Sequence, residues 1–359
     1  MIEELRHFDE TRLAELVRAF PSLRVAVIGD FFLDKYLEID PSLAEASLET
    51  GKVANQVVGT RHSPGAAGTV AANLSALMGR SLGAPAGGRL LAIGFRGHDG
   101  EGWELERDLA SIGADVSGLA VAKGRRTPTY LKPRDIDKAG LEGEHRRYDT
   151  KNRSSTAPEI EDEIIKALDE ALGRVDALVV MDQVEDEDFG VVTTKVASAI
   201  MDRITRLPRL VAWADSRRRI RSFRGLALKM NQFELAGIHD PEPGASLSDS
   251  EIARMIGPVE KAAGAPVFVT VGERGVWVGG EKPFLVPGIR IEEPVDPTGA
   301  GDSFTAGAVL ALASGASRAE AALVGCLVAS ITVRQLSTTG TARPDELFAA
   351  LNVWKEQNR

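Results

Sequence analysis

The sequence predicts an α/β protein built on a mainly parallel sheet, and two observations support this. Short apolar runs recur without polar alternation, which is typical of strands covered on both faces. Segments with helical periodicity separate most of these runs, as in right-handed βαβ units. The predicted strands lie at residues 24–29, 89–94, 176–181, 209–215, 226–231 and 266–272, and the predicted helices at 66–79, 100–112, 158–172, 187–205 and 247–263.

The most apolar region, residues 303–333, is divided by the polar stretch SRAE at 317–320. Each part is shorter than the roughly 18 apolar residues that cross a bilayer. We therefore expect two packed core helices and no membrane partner. Cys326, the single cysteine, lies in the second part and is expected to be a buried small apolar residue.

Two polar segments, residues 31–62 and 124–150, interrupt the alternation but contain short stretches with strand potential. We expect them to form a small lid sheet within one domain that spans residues 1–359. The exposed strand edges of such a lid favour pairing with another copy, which predicts a homodimer.

The charge balance argues against a polyanionic partner, because 52 acidic residues against 43 basic ones give a net charge of -9. A small-molecule partner is expected, and no nucleic acid. The N-terminal stretch MIEELRHFDETRL is charged and has no apolar core of a secretory signal. This predicts a cytoplasmic location.

The stretch DPTGAGD, residues 296–302, directly precedes the first core helix. Glycines let the backbone approach an anion, and the first N–H groups of a helix lack intrahelical partners and carry partial positive charge. A carboxylate at Asp302 is useful there if a hydroxyl must lose a proton, so the combination suggests phosphoryl transfer. The alternative is that Asp302 only caps the helix. The chain has no GxxxxGK[ST] motif, and Phe304 breaks the GxGxxG pattern, so neither a P-loop NTPase nor a Rossmann dehydrogenase is supported.

The longer stretch DPTGAGDSFTAG resembles the C-terminal signature of the ribokinase-like (PfkB) carbohydrate kinases. Other blocks follow in the family's order: GDFFLDKY (29–36), PGAAGTVAANLSALMG (64–79), GHDGEG (97–102), KMNQFE (229–234) and TVGERGVWV (270–278). Within the family, the chain is most similar to the kinase domain of heptose-phosphate kinase/adenylyltransferase proteins. The resemblance implies a three-layer α/β/α fold with a small β-strand lid. It also implies an ATP-dependent kinase that phosphorylates a hydroxyl of a sugar or sugar phosphate.

By this resemblance, Asp302 is the catalytic base, and the N–H groups of Gly299, Ala300 and Gly301 hold the developing charge. Asn231 and Glu234 match an NxxE element that organises Mg²⁺ and the phosphates through water. The alternative for this pair is a helix cap and a solvated acid.

The nucleotide loop of the family is matched by Gly272, Glu273 and Gly275. Asp296 and Thr298 match positions that hold a monovalent cation in many members, which makes potassium a candidate. The alternative at Asp296 is an Asx-turn.

On the acceptor side, Asp34 matches the acid that binds sugar hydroxyls, although an acid after a strand is also common on surfaces. Gly65 begins the family's GGxxN element, from which this chain departs: Ala66 replaces the second glycine, and Thr69 replaces the asparagine. This departure leaves the identity of the sugar open.

Basic clusters could contact a phosphate that the sugar already carries. Lys132 and Arg134 would do so if the cluster His145, Arg146 and Arg147 folds over the site. Otherwise that cluster is solvated surface, as are two further groups: Arg125 with Arg126, and Arg217–Arg219 with Arg221 and Arg224.

Other functions stay open at this point: a nucleoside kinase or a fructose kinase of the same fold, or a catalytically silent sensor of sugars or nucleotides. The complete GAGD turn favours an enzyme. The altered GAAGT segment favours a sensor.

Overall fold

In the computed structural model the described residues are 3–79, 89–138, 140–336 and 340–358. Their strands form a nine-stranded sheet and a separate four-stranded sheet. The strands are β1 (Val25–Gly29), β2 (Phe31–Ala46), β3 (Val53–Ala66), β4 (Leu90–Gly97), β5 (Asp115–Ala122), β6 (Thr129–Asp135), β7 (Tyr148–Thr150), β8 (Ala177–Asp182), β9 (Val211–Ser216), β10 (Ala227–Asn231), β11 (Val267–Thr270), β12 (Gly275–Val278) and β13 (Phe284–Pro287). The α-helices are α1 (Glu3–Arg6), α2 (Glu10–Ala19), α3 (Ala67–Leu77), α4 (Gly100–Ser111), α5 (Pro158–Leu172), α6 (Thr194–Ile204), α7 (Gln232–Ala236), α8 (Asp249–Ala263), α9 (Ala300–Ala313), α10 (Arg318–Thr332) and α11 (Glu346–Gln357).

The large sheet has the strand order β13-β12-β11-β10-β9-β8-β1-β4-β5. Neighbours from β5 to β11 are parallel, and β12 and β13 continue the sheet in antiparallel fashion. Strand β1 lies between β4 and β8, so the chain changes direction of travel across the sheet at β1. In open α/β sheets, ligands bind at such a switch point, outside the carboxyl ends of the strands.

Both faces of the sheet are covered, as the continuous apolar runs predict. On β1, Val25 and Val27 pack in one cluster with α3, α9 and α10, while Ala26 and Ile28 pack in another with α5, α6 and α8. The two core helices α9 and α10 pack against each other on the first face. Each face therefore buries one set of alternating strand side chains.

The small sheet has the order β3-β2-β6-β7 and forms the lid. Strand β2 pairs with β3 in antiparallel fashion and with β6 in parallel fashion. The predicted lid segments, residues 31–62 and 124–150, supply these strands, although residue 139 lies outside the described residues. Strand β3 is an edge with exposed Val53, Val57 and Val58. Dimerisation through this edge stays a prediction that the solution mass would test.

Most predicted elements are present, with one clear shift. The helix predicted over 187–205 begins only at Thr194, because the preceding residues form a loop. Strands β5, β12 and β13 and helices α2 and α11 were not predicted. Cys326 is buried on α10, as predicted. In the part of the chain that the structure describes, no helix combines the length and apolarity needed to cross a membrane.

Ala66 is held in a backbone conformation that suits glycine. It joins β3 to α3 with φ 54° and ψ -117°. An L-residue with a Cβ is strained in this region, whereas glycine enters it freely. The departure from the GG sequence at this position therefore has a conformational cost.

We predict that Ala66→Gly stabilises the chain by about 1 kcal/mol, because relief of backbone strain exceeds the entropy that glycine adds to the unfolded state. Urea unfolding would measure the difference. The matched control is Ala72→Gly, at a regular position inside α3, where we expect a loss of about 1 kcal/mol. Equal destabilisation by both substitutions would contradict the prediction.

Candidate active site

The turn that precedes α9 begins with Asp296 and ends at Asp302. Gly299 is the N-cap residue of α9, with φ 77°, in the left-handed region that glycine permits. Asp296 Oδ1 accepts a hydrogen bond from the Thr298 N–H at 3.0 Å, which is the Asx-turn considered above. Asp302 lies in the first helical turn, and its side chain makes no cap hydrogen bond. The alternative in which Asp302 caps the helix is therefore wrong.

The N–H groups of this turn divide into two sets. The Ala300 N–H donates to Pro297 O at 3.1 Å. This N–H group was predicted to bind the anion, but it already has an acceptor within the turn. For the N–H groups of Gly299 and Gly301, the described residues provide no acceptor. These two donors are the available part of the predicted anion hole.

Asp302 has an environment suited to proton transfer. Its carboxylate is half-buried and accepts no hydrogen bond from the described residues. Burial and the charge of Asp215 raise its pKa to about 7, although Lys229 and Arg217 act in the opposite direction. A carboxylate with such a pKa exists in both protonation states near neutral pH.

The buried ammonium of Lys229 lies beside the turn. Its Nζ is 2.8 Å from Asp215 Oδ2. A Cβ at position 301 would lie 2.6 Å from the same Nζ, so Gly301 leaves the space that the ammonium occupies. Burial alone would lower the pKa of Lys229, but the charges of Asp215 and Glu234 outweigh this and raise it. A positive charge is thus fixed beside the anion hole.

The predicted nucleotide loop and the turn border one cavity of about 270 Å³. Gly272, Glu273 and Gly275 lie on one side, and Ala300 and Gly301 on another. Gly275 has φ 107°, and a Cβ there would lie 2.1 Å from Val286 O, so the loop requires glycine. Apolar side chains complete the lining, among them those of Ile289, Ile291, Val295, Phe304, Cys326 and Val333.

Asn231 and Glu234 form a capping box at the start of α7. Asn231 Oδ1 accepts from the N–H groups of Phe233 and Glu234, and Glu234 Oε2 accepts from the Asn231 N–H at 2.7 Å. This confirms the predicted cap, but Glu234 is half-buried rather than solvated. Burial raises the pKa of Glu234, and the charge of Lys229 partly offsets the increase.

The two residues differ in how well they fit Mg²⁺, which prefers carboxylate and water oxygens. Asn231 Oδ1 already accepts two N–H groups, whereas Glu234 Oε1 accepts none from the described residues. Among those residues, no group of three or more His, Cys, Asp or Glu side chains is placed to hold a metal. Glu234 therefore fits better than Asn231, and only as part of a hydrated ion's surroundings.

Asp34 and Lys132, both predicted to contact the acceptor, form an ion pair on the lid. Lys132 Nζ is 2.8 Å from Asp34 Oδ1 and donates to the Tyr36 hydroxyl at 3.3 Å. A Cβ at Gly65 would lie 2.5 Å from Asp34 Oδ2, which explains the glycine there. Burial would lower the pKa of Lys132, but the charge of Asp34 outweighs this and raises it. Asp34 is buried, so it is not a surface acid.

The remaining acceptor positions are less directly connected to the cleft. Thr69 is buried in α3, where the described residues give its side chain no hydrogen bond. Asn73 Nδ2 donates to the carbonyls of Thr69 and Gly340, so its amide ties the helix to another segment. It does not replace the asparagine that Thr69 lacks.

The expectation of solvated basic surface is wrong for part of the arginines. Arg219 pairs with the buried carboxylate of Asp182. Arg125 donates to the carbonyls of Ser154 and Ser155. Arg217 is exposed, with its Nη1 3.8 Å from Glu185 Oε1, and its charge lowers the pKa values of both Asp302 and Tyr130.

Sequence reasoning missed Lys229, Asp215 and Arg217 as site residues. Lys229 and Asp215 are partners in the register of β10 and β9, so the sheet itself places them side by side. A lysine within an otherwise apolar strand, and an aspartate near the end of the next strand, were the available signal. A buried lysine requires such a partner.

Comparisons with known proteins identify the family and the fold of the chain. The model of the pfkB family carbohydrate kinases matches residues 24–345. A curated relative, bifunctional protein HldE of Gluconacetobacter diazotrophicus, is 28% identical over 93% of this chain. Another, from Azorhizobium caulinodans, is 30% identical over 91%. The chain spans 64% of the length of each of these two relatives.

Solved structures share the fold. An Arabidopsis thaliana ribokinase complexed with ribose and ATP has a TM-score of 0.61 and 19% identity, covering 93% of this chain and 99% of its own. Phosphofructokinase-2 from Escherichia coli, in complex with potassium, has a TM-score of 0.66 and 16% identity, covering 94% and 100%. These likenesses confirm the ribokinase-like fold. Because the family model matches most of its length, the chain belongs to the pfkB family of carbohydrate kinases, which are sugar phosphotransferases.

Proposed function

We propose that the chain transfers the γ-phosphate of ATP to a hydroxyl of a sugar or sugar phosphate, with Asp302 as the base. The observation that carries the proposal is the carboxylate of Asp302, which has no hydrogen-bond partner among the described residues and lies next to the Gly299 and Gly301 N–H groups and Lys229. The nucleotide cavity borders the same turn, and Asp34 acts electrostatically on Asp302 from the lid. Donor and acceptor would therefore meet at this carboxylate.

In the proposed step, Asp302 accepts the proton of the sugar hydroxyl while the hydroxyl oxygen bonds to the γ-phosphorus. The bond from that phosphorus to the bridging oxygen breaks, and ADP leaves with the electron pair. The two N–H groups and Lys229 stabilise the charge on the transferring group. Mg²⁺, near Glu234, would supply further neutralisation of the phosphates when bound. A monovalent cation such as potassium near Asp296 and Thr298 stays a proposal.

The sugar-phosphate alternative has specific support. Lys132 on the lid and Arg217 at the end of β9 bring positive charge to the cleft, and Arg147 joins Arg217 in acting on Tyr130. The HldE relatives are the further support, at about 28% identity. We propose an acceptor that already carries a phosphate, with a heptose phosphate as the first compound to test.

We predict that Asp302→Asn lowers turnover by roughly two orders of magnitude or more while ATP still binds, because only proton removal is lost. Release of ADP should be measured with a panel of sugars, sugar phosphates and nucleosides, which also separates the nucleoside-kinase and fructose-kinase alternatives. The matched control is Asp202→Asn, an exposed carboxylate on α6.

Near-wild-type turnover in Asp302→Asn would contradict the role of the base. Thermal stabilisation by a sugar or nucleotide, without turnover of any acceptor by the wild type, would favour the silent sensor.

The pH dependence follows from the raised pKa of Asp302. The base must be deprotonated, so kcat/KM should rise with pH and level off above about 7. Arg217→Gln removes a positive charge that lowers this pKa, so the rising limb should move to higher pH. Pre-steady-state or kcat/KM profiles of both proteins would measure it. A limb that stays in place in the variant would show that Arg217 does not act on the base.

Lys132→Gln tests the charge of the acceptor. If Lys132 binds a phosphate on the sugar, the KM for a sugar phosphate should rise by about tenfold, which corresponds to one lost charge-assisted hydrogen bond. The KM for the corresponding neutral sugar should change much less. A similar rise for both acceptors would show that Lys132 only positions Asp34.

A further inference from the structure

The loop that borders the nucleotide cavity has a glycine at each end. Gly272 and Gly275 have φ 63° and 107°, and both line the cavity together with Glu273. Glycine loses more backbone freedom on ordering than any other residue, so this loop needs further contacts to keep one conformation. Arg274 lies between the lining residues, and its side chain contacts other parts of the chain.

The guanidinium group of Arg274 reaches several acceptors at once. Its Nη1 donates to Asp249 Oδ1, at the start of α8, at 2.7 Å. Its Nη2 lies 3.2 Å from the Leu247 carbonyl, 3.3 Å from Gln232 Oε1 and 3.4 Å from Ser246 Oγ. A planar guanidinium presents its donors in a fixed fork that suits such a set. The loop is therefore attached to the first residue of α7 and to the beginning of α8.

The acceptors of Arg274 are also held by contacts that do not involve the loop. Gln232 Oε1 accepts the Leu247 N–H at 2.9 Å, which joins α7 to the segment that precedes α8. Trp277 Nε1, on β12, donates to Asp249 Oδ1 at 3.4 Å. Helix α8 itself begins with a capping box. Arg274 thus connects the loop to a surface that is ordered independently of it.

Backbone hydrogen bonds attach the loop on its other side, toward the large sheet. The Val271 N–H donates to the Gly275 carbonyl at 2.9 Å, and the Gly288 N–H donates to the Arg274 carbonyl at 3.2 Å. These bonds join the loop to the ends of β11, β12 and β13. The side chain of Arg274 adds the attachment to α7 and α8.

We propose that Arg274 is a positioning residue for nucleotide binding, which holds the loop in the conformation that receives the nucleotide and does not contact the nucleotide itself. This inference rests on the proposed function, because it takes the cavity between the loop and the phosphate turn as the nucleotide site. A loop that is already ordered loses less freedom when the ligand binds, which strengthens binding.

The competing explanation is that the positive charge of Arg274 simply attracts the phosphates. The two explanations differ in the effect that they assign to Asp249. If Arg274 acts by positioning, loss of the Asp249 carboxylate weakens nucleotide binding, because Nη1 loses its acceptor at 2.7 Å. If Arg274 acts through charge alone, loss of this neighbouring negative charge strengthens nucleotide binding.

The test is isothermal titration of the non-hydrolysable ATP analogue adenylyl imidodiphosphate, with Mg²⁺, into the full chain. We expect Arg274→Gln to raise the Kd about fivefold, because it removes charge-assisted hydrogen bonds at a partly exposed site. Asp249→Ala should raise the Kd about threefold, and it serves as the second variant should Arg274→Gln fold poorly. The matched control is Arg254→Gln, an exposed arginine on α8 that should leave the Kd unchanged.

Arg274→Lys separates the fork geometry from the charge. Lysine keeps the charge but lacks the planar fork, so we expect most of the loss in affinity to remain. In turnover assays, the KM for ATP should rise in Arg274→Gln, while kcat at saturating ATP and the KM for the acceptor stay near the wild-type values. Full recovery in Arg274→Lys, tighter binding in Asp249→Ala, or an unchanged Kd in Arg274→Gln would overturn the inference. Failure of the wild type to bind the analogue would instead overturn the proposed function, and this inference with it.

Discussion

The buried ion pair between Lys229 and Asp215 is the interaction on which the site depends. The parallel register of β10 and β9 makes the two residues neighbours, so the charge is positioned by the sheet rather than by a loop. A buried ammonium without a partner would destabilise the fold by several kcal/mol. A shift in the register of β9 and β10 would separate Lys229 from Asp215 and is therefore unfavourable. Through this pair the rigid core fixes the electrostatic surroundings of Asp302, at the carboxyl ends of the strands.

A second buried carboxylate organises the switch point of the sheet. Asp30, directly after β1, accepts the N–H groups of Gln183, Val184 and Val191 at 2.7, 3.0 and 2.7 Å. Burial and the charge of Asp182 raise the pKa of Asp30 to about 6 in spite of these bonds. The Asp30 carbonyl also accepts the Ala67 N–H. Asp30 thus connects β1, the loop after β8 and the first turn of α3, and it directly precedes β2, the first strand of the lid.

The sequence was informative where chemistry and periodicity are local. Continuous apolar runs predicted the parallel core strands, and the DPTGAGD turn predicted that Asp302 stands at the start of a core helix. Strands β12 and β13 were missed because each has only four residues, which carries little periodic signal. The predicted start of helix α6 was too far toward the N-terminus. The N–H groups of Gln183 and Val191 donate to the carboxylate of Asp30, which is distant in sequence, and these hydrogen bonds hold residues 183–191 in a loop. Lys229 was missed as a site residue because its partner lies on another strand.

Gly301 and Lys229 behave as a single steric unit. The ammonium occupies the volume that even a methyl group at position 301 would need, since the two would be 2.6 Å apart. Any residue larger than glycine at position 301 would therefore displace the charged Nζ of Lys229. Transplanting this turn into another α/β scaffold would therefore require a lysine on the neighbouring strand in the same register. The loop sequence alone would supply the glycine but not the buried ammonium beside it.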